Sequence, residues 1–162
     1  MDAQSSPLAV LSLIVAPAVL TNAASVLAMS TSNRLARATD RARELARQLE
    51  ETQDFSTPQA VRRMGELASA ERRTLLLLAA LRSVYVALGS FACATLCALL
   101  GAAFATLEEG RPTRVLGALG LAAGLAALAA LVHGSVMLVR ETRIVVQVLQ
   151  ERAARIRART AR

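Results

Sequence analysis

Three stretches of the chain, 8–32, 83–107 and 115–139, contain no Asp, Glu, Lys or Arg. Each exceeds the ~20 residues that an α-helix needs to cross a bilayer. After the first stretch the hydrophobic positions thin but do not stop. Leu35, Ala38, Ala42, Leu45 and Leu49 recur at spacings of 3, 4, 3 and 4, with charges on the other faces. That is the seam of a packed helix. Counting back at the same spacing gives Thr31, Ala28, Ala24, Thr21 and Pro17, all inside the apolar stretch. No Gly, Pro or loop-like cluster separates "SVLAMSTSN" from "RLARATDRAREL". One helix is expected to continue while its solvent changes from lipid to water.

That helix should stop near "ETQDFSTPQ". Thr57 suits the N-cap of a second helix and Pro58 its first helical position. In this second helix Val61, Met64, Ala68, Leu75 and Leu78 supply an apolar stripe, broken at Glu71. Segments 33–52 and 58–82 would be ~30 and ~37 Å long at 1.5 Å per residue, forming an antiparallel hairpin over 33–82. The third apolar stretch passes directly into "RETRIVVQVLQERAARIRART", a C-terminal helix over 140–160 with a weaker seam at Val145, Leu149 and Ile156. The expected fold is an all-α membrane protein, a single membrane domain over 1–162. Its three transmembrane helices continue as cytoplasmic extensions into a long three-helix bundle.

Composition agrees with lipid as the main solvent. Hydrophobic residues make up 54% of the chain but aromatic residues only 2%, so Ala, Leu and Val provide the apolar mass. All 19 basic residues are arginine. Ten lie in 33–82, seven in 140–162, two in 108–114 and none before the first stretch. Arginine excess marks the cytoplasmic side, which places the N-terminus outside and both the hairpin and the C-terminus in the cytoplasm. "MDAQSSP" lacks the positive n-region of a signal peptide, so the first stretch is expected to be a retained anchor. The Ala/Arg bias suggests a GC-rich bacterial genome, hence the inner membrane. The net charge of +7 is explained by anionic lipid head groups; without stacking aromatics, nucleic acid is not an expected partner.

Polar residues inside lipid are costly. Pro17, Thr21, Asn22, Ser25 and Ser32 therefore form a candidate face on the first span. Either they hydrogen-bond between helices, with a kink at Pro17, or they line a water-filled axis between copies of the chain. Gly89, Cys93, Cys97, Gly101 and Ala105 step by four along the second span, and Gly120 and Gly124 form a GxxxG pair on the third. Small residues permit close backbone approach, and packing within one chain is preferred here to a subunit interface. Arg34, Arg82 and Glu141 stand at matching depths and form a candidate charge layer at the cytoplasmic boundary. His133 is expected to hydrogen-bond Tyr85 rather than to ligate haem or metal, and Cys93 and Cys97 are too few for a metal site. No cofactor is expected.

No phosphate loop, HExxH motif or activated nucleophile occurs, so no enzymatic activity is expected. "APAVL", "NRLARATDRAREL" and "RRTLLLL", read in order, resemble an uncharacterised bacterial family of small multi-pass membrane proteins, the domain of unknown function 2721. The resemblance covers about residues 8–150 and implies a multi-pass membrane protein, with no activity, ligand or catalytic residue to transfer. The leading expectation is a non-enzymatic scaffold or self-association module with a cytoplasmic helical bundle. The alternative is a homo-oligomeric channel or transporter subunit lined by the polar face of the first span.

Overall fold

The computed structural model describes residues 7–52, 55–105 and 110–160. They form three α-helices: α1 (Pro7–Glu50), α2 (Pro58–Ala105) and α3 (Gly110–Thr160), with no strand among the described residues. Both α1 and α3 pass from apolar to arginine-rich sequence without a break. A helix satisfies its own backbone groups, so a change of surroundings alone gives it no reason to end. The chain divides into two compact units, Met1–Met29 with Arg82–Gly134 and Ser30–Leu81 with Ser135–Arg162. Each helix contributes a segment to both.

In the first unit the buried positions are mostly alanine. Ala87, Phe91 and Ala127 form the core cluster, with Leu20, Ala130 and Leu131 packed against it. Ala24, Ala28, Val84 and Ala94 are also buried. Most of the large aliphatic side chains point outward, among them Leu121, Leu125 and Val132. Pro58–Phe104 and Pro112–Glu151 are long and apolar enough to cross a membrane; they hold residues 83–104 of the second expected stretch and all of the third. The expected first span, 8–32, includes side chains at 8–14 that lie outside the described residues.

In the second unit the expected α1 seam is buried at Thr31, Ala38, Leu45 and Leu49, and half-buried at Leu35 and Ala42. The α2 stripe requires correction. Val61, Met64, Ala68, Leu75 and Leu78 are all exposed, and the buried face carries Ala60, Ala70, Leu77 and Ala80. The packed face is rich in alanine, so a stripe read from the larger side chains selects the wrong side of the helix. In α3 the inward positions are Leu138, Glu141, Val145 and Val148, while Leu149 is exposed; the side chain of Ile156 lies outside the described residues.

The ends of the connection follow local chemistry. The Glu51 and Thr52 amides donate to the Arg47 and Leu49 carbonyls at 3.2 and 3.0 Å, closing α1. Thr57 Oγ1 accepts the Ala60 amide at 3.2 Å, and α2 starts at Pro58, the cap and first position that the sequence indicates.

Candidate functional site

Glu141 occupies a core position of α3 in the second unit and is 0% exposed. A carboxylate there must be paired, since removing it from water costs several kcal/mol, as an order of magnitude. Two other helices supply the pairing. Arg34 of α1 donates from Nη2 to Oε2. Arg73 of α2 donates from Nε to Oε1 at 3.0 Å, and its Nη2 lies 2.9 Å from the same oxygen. Each carboxylate oxygen thus has its own guanidinium, and no buried side-chain nitrogen or oxygen among the described residues lacks a partner. The two arginine side chains remain 37% and 34% exposed. The cluster carries one net positive charge.

The cluster contains Arg34 and Glu141 of the expected charge layer but not Arg82, which is exposed. Arg73 takes its place. Nine residues separate Arg73 from Arg82, about 13.5 Å along the axis and half a turn around it, so the two point to opposite faces of α2. Arg73 was legible in principle. It lies seven residues before Ala80, itself seven before Ala87 and fourteen before Ala94, all buried. Glu141 likewise lies fourteen residues after buried Ala127 and seven after buried Gly134. A charged residue on a heptad shared with buried small residues signals a buried ion pair.

Further ion pairs surround the cluster in the same unit. Arg41 and Arg62 reach Glu66 at 3.4 and 3.3 Å, and Arg47 reaches Glu44 and Glu51 at 2.9 and 2.6 Å. Hydrogen bonds from Arg47 and then Gln48 hold the Glu44 carboxyl below its usual range, and the bond to Glu44 raises Arg47. In each of these pairs the arginine is exposed, so the pair contributes little. Arg41, Glu66 and Arg73 line a groove of about 520 Å³ together with Leu45, Val61, Val145 and Leu149.

A family model described as "Protein of unknown function (DUF2721)" matches residues 14–151. The chain belongs to this family. No curated protein and no solved structure matches it. Within the matched region of this DUF2721 chain lie all three members of the Glu141 cluster and the groove-lining residues just named.

The polar face of the expected first span is divided. Thr21 and Ser32 are half-buried, whereas Asn22 and Ser25 are exposed. The Ser25 hydroxyl donates to the Thr21 carbonyl at 2.9 Å, and the side chain of Pro17 lies outside the described residues. The small-residue ridge is divided too. A Cβ added at Gly120 would meet Cys97 Cβ at 3.3 Å and the Ala94 carbonyl oxygen at 3.6 Å, and one at Gly101 would meet Leu116 Cβ at 3.8 Å. Gly89 and Gly124 have open space, and Cys93 is exposed. Four residues make slightly more than one helical turn, so a ridge at that spacing winds slowly around its helix. It cannot face one neighbour throughout. Tyr85 and His133 are both exposed and make no side-chain hydrogen bond to a described residue, which corrects the expected pair.

Proposed function

We propose that this DUF2721 chain is a non-enzymatic scaffold integral to the bacterial inner membrane. All three helices cross the bilayer, the N-terminus lies outside, and the arginine-rich second unit forms a cytoplasmic platform. One observation carries the reading: the outer surface of the first unit is apolar. Leu121, Val132, Leu125 and Val19 are each more than 60% exposed, and the only described charged side chains in that unit are Arg82 and Arg114. Monomeric soluble proteins rarely expose apolar patches beyond a few hundred Å², so lipid is the fitting solvent. Arginine counts of seventeen against two support the orientation. The helical second unit, with its buried ion cluster and a groove lined by both charged and apolar side chains, supports a binding rather than a reacting surface.

Alkaline carbonate extraction of membranes tests the placement: the chain should stay in the pellet, and release into the supernatant would overturn the reading. A second reading, a homo-oligomeric channel or transporter subunit, is favoured by the exposure of Asn22 and Ser25. It requires Asn22→Cys to react with a water-soluble maleimide in intact membranes.

A further inference from the structure

The exposed face of α1 in the first unit has its own register. Val15, Ala18, Asn22, Ser25 and Met29 follow at spacings of 3, 4, 3 and 4, and every one is exposed. The register is distinct from the buried seam of the same helix, because Asn22 and buried Ala24 stand about 200° apart around the axis. α1 thus carries two seams. The inner one packs against the chain itself, and the outer one is exposed among the described residues.

Asn22 decides what the outer seam is for. Its amide makes no hydrogen bond to any described residue, and it sits ten residues, about 15 Å, from the nearer end of the 8–32 stretch. Tyr85 and His133 are also exposed, but they lie two and six residues from an end of their stretches, closer to the head groups where such side chains settle. Asn22 has no such exit, and a carboxamide facing hydrocarbon leaves up to four hydrogen-bonding groups unsatisfied. Ser25 needs no partner because its hydroxyl already donates to the Thr21 carbonyl. With Ala18 it offers the small surface that lets a second backbone come close.

We infer that the outer seam of α1 is the contact between two copies of this chain, with the Asn22 amides paired across it. The inference rests on the membrane placement proposed above and names the partner of that scaffold. A carboxamide is both donor and acceptor, so two of them related by a two-fold axis bond reciprocally. A second copy presents Asn22 at the matching depth by construction, whereas a different protein would need an unrelated polar group there. A single asparagine on an a-type position fixes register and copy number in soluble coiled coils, and polar side chains join helices in lipid.

Oxidative cross-linking in native membranes tests this, using the full chain with Cys93→Ala and Cys97→Ala. Ala18→Cys and Ser25→Cys should give cross-linked dimers, while the lipid-facing controls Leu99→Cys and Leu125→Cys should not. Adding Asn22→Leu, a change that suits a lipid-facing helix, should lower the Ala18→Cys dimer about three- to tenfold, and Asn22→Gln should restore it. Equal cross-linking at Leu125→Cys, or a dimer indifferent to Asn22→Leu, overturns the inference. So does maleimide labelling of Asn22→Cys without cross-linking, which marks a water-lined face. A chain retained after alkaline extraction that fails these tests overturns the copy contact alone; a chain released by alkali overturns the membrane placement as well.

Discussion

Arg73 and Glu141 meet at a single oxygen: Arg73 Nε donates to Oε1 at 3.0 Å, and Nη2 lies 2.9 Å from the same oxygen. Arg34 holds the other oxygen, so one buried carboxylate ties α1 and α2 to α3. Removing Arg73 leaves Arg34 to balance the charge but strips the buried Oε1 of its donor, which costs about 1–3 kcal/mol. Arg73→Ala should therefore lower the melting temperature of the detergent-purified protein sharply, and Arg82→Ala should leave it nearly unchanged. Replacing the whole cluster with Arg34→Met, Arg73→Met and Glu141→Leu should recover most of the loss, since apolar isosteres avoid desolvating three charges.

The two glycines of the GxxxG pair should respond oppositely. A Cβ at Gly124 enters open space, so Gly124→Ala should gain up to ~1 kcal/mol of helix propensity. Gly120 faces Cys97 at close range, and Gly120→Leu should cost about 1–3 kcal/mol by overpacking. Thermal unfolding of the two variants under one detergent condition compares them directly.

Thr57 caps α2 through the Ala60 amide. Thr57→Ala should cost about 1 kcal/mol and Thr57→Ser far less. Hydrogen exchange at the first turn of α2 should rise in the alanine variant alone.

Glu44 should give the second unit a small acid sensitivity. Its folded pKa lies below the ordinary value of 4.5 because Arg47, and then Gln48, hydrogen-bond its ionised form. A depressed folded value contributes stability that is fully present above the unfolded pKa and is lost as pH falls through the folded one. The window therefore lies below about pH 4.5. Arg47→Gln should flatten that part of the pH–stability curve and leave neutral-pH helicity nearly intact.

Orientation is open to labelling. A cysteine at Ser5, in the Cys93→Ala and Cys97→Ala background, should react with an impermeant thiol reagent from outside intact cells. Labelling only from the cytoplasmic side of inverted vesicles would reverse the topology.

Features that depend on neighbours within a turn or two were legible in the chain itself. Continuity of α1 follows from the absence of a breaker between 21 and 49, and its seam follows from a countable 3–4 spacing. The Thr57–Pro58 start of α2 needs no tertiary contact. The apolar character of the stretches at 83–107 and 115–139 is a property of composition alone. Choices between faces came from packing. The α2 face that packs is built mainly from alanine, and alanines occur on every side of that helix, so side-chain size pointed to Val61 and Leu75 instead. Whether Glu141 meets Arg73 or Arg82 turns on half a rotation of α2, and whether Gly120 or Gly124 is approached turns on the slow drift of a four-residue step around its helix. Rotation of one helix against another is fixed by the partner's shape, and no single helix records it. The exposure of Asn22 belongs to the same class: sequence placed it in the apolar stretch 8–32, and packing of the other two helices left it outside.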